Sequence, residues 1–213
     1  MIDLYTWTTP NGRKVSILLE ELGVPYTVHS VDIGAKEQFA PDFLRIAPNN
    51  RIPAIVDRET GLSLMESGAI MLYLADKYGR FGGEGREHWR VVEWLMWQMA
   101  GIGPMLGQAH HFLKYNPGVA PYAETRYGRE AERLYGVLDR RLEGRDFVAG
   151  DGRGDYSIAD MAIWPWLSRF EWQKIDLAAF PAVRDWYVRI AERPAVQRGY
   201  HVPKQVGEIP IPA

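Results

Sequence analysis

The sequence predicts two units of different fold class in succession, a small α/β domain and then an all-helical domain. Three observations lead to this prediction. Strand-like and helix-like patterns alternate over the first 80 residues, four glycines then fall within the eight residues 78–85, and only helical periodicity follows. With 213 residues, 46% of them hydrophobic, the chain is long enough for one large domain or two small ones.

The N-terminal segment predicts a strand, a helix and a second strand. Apolar residues alternate with other residues over positions 2–7, and turn residues occupy positions 8–12. Four apolar residues then share one face of a helix: Val15, Leu18, Leu19 and Leu22. Gly23 and Pro25 end that helix. Residues 26–31 predict a second strand, parallel to the first because a helical crossover joins them.

The rest of the first domain predicts a weak helix, a pair of strands and a stronger helix. Residues 34–47 are polar and weakly helical. Residues 51–57 and 62–65 predict two short strands that pair antiparallel across a tight turn. Ser67 is the predicted N-cap of a helix over residues 69–78. The predicted order is therefore β-α-β-α-β-β-α.

The glycine-rich segment sets the predicted domain boundaries. We predict an α/β domain over residues 1–80, a linker over residues 81–87 and a helical domain over residues 88–213. Within the helical domain, residues 89–108 predict a long helix that is broken or kinked at residues 101–104, where two glycines precede a proline.

A second helix start and two apolar stripes support the helical domain. Ser157 is a predicted N-cap, and Asp160 is placed to return a hydrogen bond, a variant of the capping box that assigns Asp160 to folding rather than catalysis. The proline-rich residues 203–213 predict a loose tail. The residues of the two stripes are Ala131, Leu134, Tyr135, Leu138 and Leu142, and Val183, Trp186, Tyr187 and Ile190.

Composition excludes several classes of function. The formal net charge of −2 argues against a nucleic-acid binder. The sequence contains no run of 18 apolar residues, so we expect no membrane-spanning helix. The N-terminus lacks the pattern of a signal peptide, so we expect a cytoplasmic protein with no membrane partner. The absence of cysteine excludes a protein thiol nucleophile, and the adjacent His110 and His111 diverge on a helix, so we expect no metal site.

Three short motifs are candidates for ligand binding. A helix start at Glu66-Ser67 suits the carboxylate and ammonium of an α-amino acid, although on local sequence alone an ordinary cap with a surface glutamate is the commoner explanation. Ile52-Pro53 lies at the start of the short strand over residues 51–57, where the proline peptide bond is either cis or the more common trans. Residues 9–12 join the first strand to its helix, where Thr9 and Asn11 could donate to an anion or could simply cap the turn.

Together, in this order and spacing, the motifs resemble a cytosolic glutathione transferase over nearly the whole chain. The resemblance implies a thioredoxin-like N-terminal domain followed by the helical glutathione-transferase C-terminal domain. It is closest to the Nu class, the bacterial disulfide-bond oxidoreductases, which are also similar to the yeast prion-forming nitrogen regulator. The segments that carry it are Tyr5 and residues 9–12, 48–57, 66–70, 103–108, 110–112 and 124–127.

The resemblance implies a role for each residue of a glutathione site. Thr9 and Asn11 would be the catalytic residues beside the sulfur, Pro53 would be the cis-proline, and the Ile52 backbone would pair with the cysteinyl part. Glu66 and Ser67 would hold the γ-glutamyl end of the tripeptide, and Gln38 would reach the glycyl end. Arg126 would contribute from the neighbouring subunit of a homodimer.

The leading hypothesis is a glutathione-dependent disulfide-bond reductase acting on small disulfides. Glutathione or its disulfide is the expected partner, as a co-substrate that supplies the thiol which this cysteine-free chain lacks. One alternative is a transferase that conjugates glutathione to electrophiles or cleaves aryl ethers. It needs an apolar acceptor site, which Met105, Phe112, Trp164 and Trp166 could line, although they could equally be core residues. The other is a glutathione-binding regulatory protein with little catalysis. Roles for Tyr5, His110 and His111 are left open.

Overall fold

The computed structural model describes residues 1–212 and divides them into two compact units. The first unit comprises Met1–Arg80 together with Glu192–Ile209, and the second comprises Phe81–Ala191 together with the residues from Pro210 onward. Residues 192–209 group with the first unit, whereas the sequence assigns them to the helical domain. The predicted end of that domain, Ala213, lies outside the described residues.

The first unit contains a four-stranded sheet in the order β2-β1-β3-β4. β1 is parallel to β2 and antiparallel to β3, and β3 is antiparallel to β4. This is the predicted β-α-β-α-β-β-α order, so the thioredoxin-like fold class is confirmed. The elements are β1 Ile2–Thr6, α1 Pro10–Leu22, β2 Tyr26–Ser30, α2 Pro41–Ile46, β3 Ala54–Asp57, β4 Leu62–Met65 and α3 Ser67–Tyr78.

The last helix of the chain, α9 (Pro194–Tyr200), packs against α1 within this unit. A Cβ atom added to Gly199 would lie 2.6 Å from the Ile17 Cα, so the two helices approach as closely as glycine allows. The Ser16 hydroxyl donates to the Gly199 carbonyl at 2.7 Å. Helix α1 is thus held between α9 and α3, and its N-terminal residues are fixed relative to the sheet.

The second unit is helical, and its first helices join through π-helical turns rather than through a break. A π turn over Gln98–Ile102 links α4 to α5, and another covers His111–Tyr115. The predicted break is therefore a wider helical turn, and α4 begins inside the predicted linker. The helices are α4 Gly85–Trp97, α5 Gly103–His110, α6 Pro121–Leu142, α7 Ile158–Leu167 and α8 Pro181–Ala191.

Helix α7 begins with the predicted capping box. The Ser157 hydroxyl accepts from the Ala159 N–H at 3.3 Å, and the Asp160 carboxylate accepts from the Ser157 N–H at 3.1 Å. The buried carboxylate also accepts from the Val148 N–H and the Trp186 Nε1–H, which lie at 3.0 and 2.9 Å. Burial raises the pKa of Asp160 to about 6, although these donors oppose the rise. The capping prediction is confirmed, and Asp160 ties α7 to its neighbours.

The tail is partly anchored, in contrast to the sequence prediction. The Tyr187 hydroxyl on α8 donates to the Pro210 carbonyl at 2.7 Å. The Lys204 ammonium lies 4.2 Å from the centroid of the Trp7 ring. The loose segment was predicted from proline content alone. That prediction missed these contacts because their partners are far apart in the sequence. Among residues 1–212, no helix has the length and apolar character to cross a membrane, and no cluster of acidic or histidine side chains suits a metal ion.

Candidate functional site

The turn between β1 and α1 gives the Thr9 hydroxyl a fixed orientation. Thr9 is the N-cap of α1, and its Oγ1 accepts from the Gly12 N–H at 3.2 Å. Because this bond occupies an acceptor position of Oγ1, the hydroxyl hydrogen is directed to a different acceptor. Asn11, the second residue of α1, is half-buried next to this cap.

Gly12 allows the turn to approach the strand closely. A Cβ atom at residue 12 would lie 2.2 Å from the Trp7 carbonyl oxygen and 2.5 Å from the Thr6 Oγ1. A side chain at this position would therefore push α1 away from the end of β1. The Thr9 cap depends on this approach, because the Gly12 N–H is its hydrogen-bond donor.

The N-cap of helix α3 lies one residue earlier than the sequence predicts, and the helix begins at Ser67 rather than at residue 69. Glu66, not Ser67, is the N-cap, and its side chain makes no capping hydrogen bond. Glu66 has a φ of +69°, a region that side chains other than glycine rarely adopt and that costs about 1–3 kcal/mol. Its exposed carboxylate lies 3.5 Å from the Asn49 Nδ2. The first helical hydrogen bond runs from the Ile70 N–H to the Glu66 carbonyl, so the N–H groups before it have no partner within the helix.

Ser67 is buried at the start of α3 rather than exposed to solvent. It is the first residue of α3, only 4% exposed, and its Oγ accepts from the Lys14 Nζ at 3.3 Å. Lys14 lies on α1 and is 1% exposed. Burial lowers the pKa of Lys14 to about 7, while the negative charge of Glu66 acts in the opposite direction. This side chain therefore joins the two helices of the candidate site.

Sequence reasoning missed Lys14, although one indication was present. Lys14 precedes Leu18 by four residues and Leu22 by eight, so it continues the buried face of α1 toward the N-terminus. A lysine in that position must either extend to solvent or find a buried partner. Its partner, Ser67, is 53 residues away in the sequence, which is why local patterns did not reveal it.

Gln38 and the Ile52–Pro53 segment lie in the same unit. Gln38 belongs to the short 3-10 turn Glu37–Phe39 and is 9% exposed, and its Oε1 has no hydrogen-bond partner among the residues that the structure describes. The Ile52–Pro53 peptide bond is cis. The β1–β3 ladder ends at the Tyr5–Ala54 pair, so the Ile52 backbone lies outside it.

Tyr5 packs on the sheet rather than forming an activated phenol. Its ring stacks on His29 with centroids 4.5 Å apart and lies 6.3 Å from the Phe43 ring. Burial raises the pKa of Tyr5 above its usual value of 10.0, so the phenol stays protonated at neutral pH. The tyrosine is thus part of an apolar cluster that also receives Ile52.

The two histidines of the second unit differ in environment. His110 is buried, with its Nε2 2.9 Å from the Gln173 Nε2 and its ring stacked on Trp166. Burial lowers the pKa of His110 to about 3, so it is neutral under ordinary conditions. His111 is exposed. This assigns His110 to the hydrogen-bonded interior of the helical unit.

The four residues considered for an acceptor site differ in burial, and two of them are not accessible to a ligand. Trp164 is fully buried, and its Nε1–H donates to the Tyr187 carbonyl at 3.0 Å. Trp166 is almost as buried, whereas Met105 and Phe112 are half-buried, with Phe112 stacked on Tyr127. The two tryptophans are therefore core residues. Arg126 also belongs to the second unit, on the exposed side of α6, and its role toward a neighbouring subunit stays a prediction.

The candidate site of the first unit thus combines two helix N-termini, a strained glutamate, a buried lysine and an unpaired glutamine oxygen, on a thioredoxin-like fold. The family model for the N-terminal domain of glutathione S-transferases matches residues 1–76, and the model for the C-terminal domain matches residues 104–194. The chain therefore belongs to the glutathione S-transferase family.

Individual relatives sharpen this assignment. The disulfide-bond oxidoreductase YfcG of Escherichia coli is 52% identical over 201 residues, which cover 92% of this chain and 92% of that protein. YfcG is a Nu-class protein, so the resemblance to that class is confirmed.

Solved structures of the family add the ligands that their proteins hold. A glutathione transferase of Pseudomonas putida, with one glutathione disulfide bound per subunit, is 41% identical, with a TM-score of 0.88 and coverage of 95% of this chain and 91% of that one. A Burkholderia graminis transferase with two bound glutathiones is 42% identical, with a TM-score of 0.88 and coverage of 96% and 89%.

Proposed function

We propose that this protein is a glutathione-dependent disulfide-bond reductase that acts on small disulfides. The observation that carries the proposal is the Thr9 hydroxyl, which the Gly12 N–H orients at the N-terminus of α1 in a chain without cysteine. A hydroxyl held in this way donates to a thiolate, and the helix N-terminus lowers the pKa of a thiol placed near it. The names of YfcG and of the glutathione-bound relatives support the same chemistry.

Glutathione is bound along the first unit in this proposal. Glu66 pairs with the ammonium of the γ-glutamyl group, and Ser67 with its carboxylate. Gln38 accepts from the amide N–H of the glycyl residue, which gives its Oε1 a partner. The backbone of Ile52, beside the cis Pro53, pairs with the cysteinyl part.

The reaction is thiol–disulfide exchange in two steps. The glutathione thiolate, stabilised by Thr9 and Asn11, attacks one sulfur of the substrate disulfide and expels the other as a thiolate, which takes a proton from water. The thiolate of a second glutathione then attacks the glutathione sulfur of the mixed disulfide. The products are glutathione disulfide and a second substrate thiol, so two glutathiones reduce one disulfide.

Reduction of 2-hydroxyethyl disulfide, coupled to NADPH oxidation through glutathione reductase, tests the proposal. We expect turnover above the enzyme-free rate, and a loss of about 10- to 100-fold in Thr9→Ala, because a hydrogen bond to a charged group contributes about 1.5–3 kcal/mol. Thr9→Ser keeps the hydroxyl and is the matched control. Conjugation of an aryl halide that exceeds disulfide turnover would instead favour a conjugating transferase, and binding without either reaction a regulatory protein.

Dimerisation belongs to the same proposal. Trp89 and Met96 lie seven residues apart on one face of α4 and are 66% and 42% exposed. An exposed apolar stripe of this kind is typical of a surface covered by another chain. We propose a homodimer in the cytoplasm, with Arg126 acting toward the neighbouring subunit. Light scattering should give twice the chain mass of 24.3 kDa, and Trp89→Glu should shift it toward the monomer.

A further inference from the structure

A cleft of about 280 Å³ in the second unit is lined mainly by charged side chains. Two arginines come from α4 and two from the end of α6 and the turn after it, and they outnumber the carboxylates. The volume lies just below the range of about 300–1,000 Å³ of small-molecule sites, which are mostly apolar. A small and strongly charged ligand therefore suits this cleft better than an apolar one. Its charged residues are Arg86, Arg90, Arg141 and Arg145, with Glu87 and Asp151.

The two arginines of α4 have only surface ion pairs. They lie four residues apart, on one face of the helix, and both are exposed. The carboxylates of Glu87 and Asp151 lie 3.6 and 3.7 Å from the Arg86 guanidinium, which is beyond hydrogen-bond distance. Arg90 pairs with Glu93 at 3.0 Å. Exposed pairs of this kind contribute little to stability, so an anion in the cleft replaces them at small cost.

The two arginines at the end of α6 are held by backbone carbonyls. The Arg145 guanidinium donates to the carbonyls of Gly150 and Gly152 at 2.7 and 2.8 Å. The Arg141 Nε donates to the Val148 carbonyl at 2.8 Å. Neither arginine forms an ion pair within residues 1–212, so the chain orients both guanidinium groups without a carboxylate partner.

The arginines of the two elements are close enough to repel one another. Burial lowers the pKa of Arg141, and the guanidinium groups of Arg145 and Arg90 lower it further. The carboxylates of Glu93 and Glu87 act in the opposite direction. The lining of the cleft keeps an excess of two positive charges, although the chain as a whole carries a net charge of −2. An anion bound among the arginines relieves this repulsion.

We propose that this cleft binds a small diphosphate compound, with the two arginines of α4 on one phosphoryl group and the two at the end of α6 on the other. Guanidinium groups bind phosphoryl oxygens through paired hydrogen bonds. Two pairs of arginines on two elements suit two linked phosphoryl groups better than a single one. A free diphosphate and a diphosphate ester share this chemistry, whereas the negative charge of the chain disfavours a nucleic acid.

The diphosphate site is separate from the surfaces used in the proposed function. None of the residues assigned to glutathione lines the cleft. Arg86 and Arg90 also lie about 90° around the α4 axis from Trp89 and Met96, the stripe proposed for the dimer. Occupation of the cleft is therefore compatible with both glutathione binding and dimerisation.

Calorimetric titration with inorganic pyrophosphate tests the proposal, in buffer without divalent cations and at a constant ionic strength of about 0.15 M. We expect one pyrophosphate per chain, bound about tenfold more tightly than phosphate or sulfate, because each of these reaches only one pair of arginines. ADP carries the diphosphate group as an ester. Binding of ADP as tight as that of pyrophosphate assigns the cleft to diphosphate esters, and weaker binding assigns it to free diphosphate.

Two double variants locate the site. Arg86→Gln with Arg90→Gln removes two charges from the exposed side of the cleft, and we expect pyrophosphate affinity to fall about tenfold or more. Arg129→Gln with Arg133→Gln is the matched control. Those arginines are also exposed and four residues apart on one helix of the same unit, and Arg133 pairs with Glu130. The control should bind pyrophosphate as the parent does.

The outcomes separate the diphosphate site from the proposed function. No binding of pyrophosphate, or equal affinity for pyrophosphate, phosphate and sulfate, overturns the proposal. Unchanged affinity in Arg86→Gln with Arg90→Gln, or an equal loss in the control, also overturns it, and disulfide reduction should be unaffected in both variants. If the cleft variant does not fold, the parent decides: pyrophosphate must bind about tenfold more tightly than sulfate, with the same affinity when glutathione is present.

Discussion

Helices α3 and α7 both begin with a buried serine close to an acidic residue, yet their first turns differ. At α7 the serine is the cap, and the carboxylate of Asp160 turns inward to accept four hydrogen bonds from the chain. At α3 the acidic residue Glu66 is the cap, takes a positive φ and leaves its carboxylate exposed, while the serine binds a buried lysine.

We propose that this difference separates a helix start that stabilises the fold from one that binds a ligand. At α7 the four donors to the Asp160 carboxylate all belong to the chain itself. The sequence pattern, the capping geometry and the packing therefore all favour the same folded structure. At α3 the side chain of the cap makes no capping hydrogen bond, and the backbone of Glu66 is strained. Backbone strain of this kind is expected at a position where ligand binding, rather than stability, has determined the residue.

Removing the carboxylate at α7 should have the largest effect on stability. In Asp160→Ala the buried Trp186 Nε1–H and the Val148 N–H lose their acceptor, and each buried donor without a partner costs about 1–3 kcal/mol. We expect the free energy of unfolding to fall by about 3 kcal/mol or more, measured by urea denaturation. Glu66→Ala is the matched control at α3, where we expect less than about 1 kcal/mol. Equal losses at both helices would contradict the comparison.

The next largest expected effect is the change with pH in the contribution of Asp160 to stability. The pKa of Asp160 is raised to about 6, above the unfolded value of 3.8, so the folded protein binds more protons than the unfolded chain between about pH 4 and 6. The contribution of Asp160 to stability therefore decreases as pH rises through this interval, by about 2 kcal/mol. Urea midpoints of the parent and of Asp160→Asn at pH 4.5 and 6.5 measure it, because the asparagine variant lacks this term.

A carboxyl group of the first unit should show the opposite sign. Burial acts to raise the pKa of Asp57, but hydrogen bonds from Lys77 and Tyr73 outweigh it and hold the pKa near 2. Its contribution to stability is present above about pH 4 and is lost as pH falls through 2. Asp57→Asn should therefore lose stability at pH 6.5 and approach the parent in strong acid, whereas a constant difference would contradict this sign.

Replacing the strained cap of α3 should raise stability and weaken binding at once. Glycine adopts a positive φ without steric cost, so Glu66→Gly should gain about 1 kcal/mol in the free energy of unfolding. If the Glu66 carboxylate pairs with the γ-glutamyl ammonium, as we propose, its loss should reduce glutathione affinity about tenfold or more. Glu66→Gln keeps the side-chain size and the strain, so it should lose affinity without gaining stability. A gain in both variants would argue against strain as its source.

The two helix starts also show how far sequence reasoning reached. The capping box at Ser157 and the β-α-β-α-β-β-α order were predictable because they depend on spacing within one segment. The cap at α3 was placed at Ser67 because serine is a common cap, whereas a glutamate at positive φ has no local sequence pattern. Lys14 was missed, and the packing of Gly199 on α1 was not foreseen, because both contacts join segments distant in the sequence.

The smallest expected effect concerns Gln38, whose buried Oε1 has no partner among residues 1–212. Methionine has a similar length and no amide to satisfy, so Gln38→Met should leave stability unchanged or raise it by up to about 1 kcal/mol. If the glycyl amide N–H of glutathione is the missing donor, the same change should weaken binding several-fold. Gln98→Met, a buried glutamine of the second unit, is the control for the substitution itself and should not alter the affinity. Unchanged affinity in Gln38→Met would remove this residue from the proposed site. The buried Oε1 would then be an unsatisfied acceptor that the fold tolerates without a binding role.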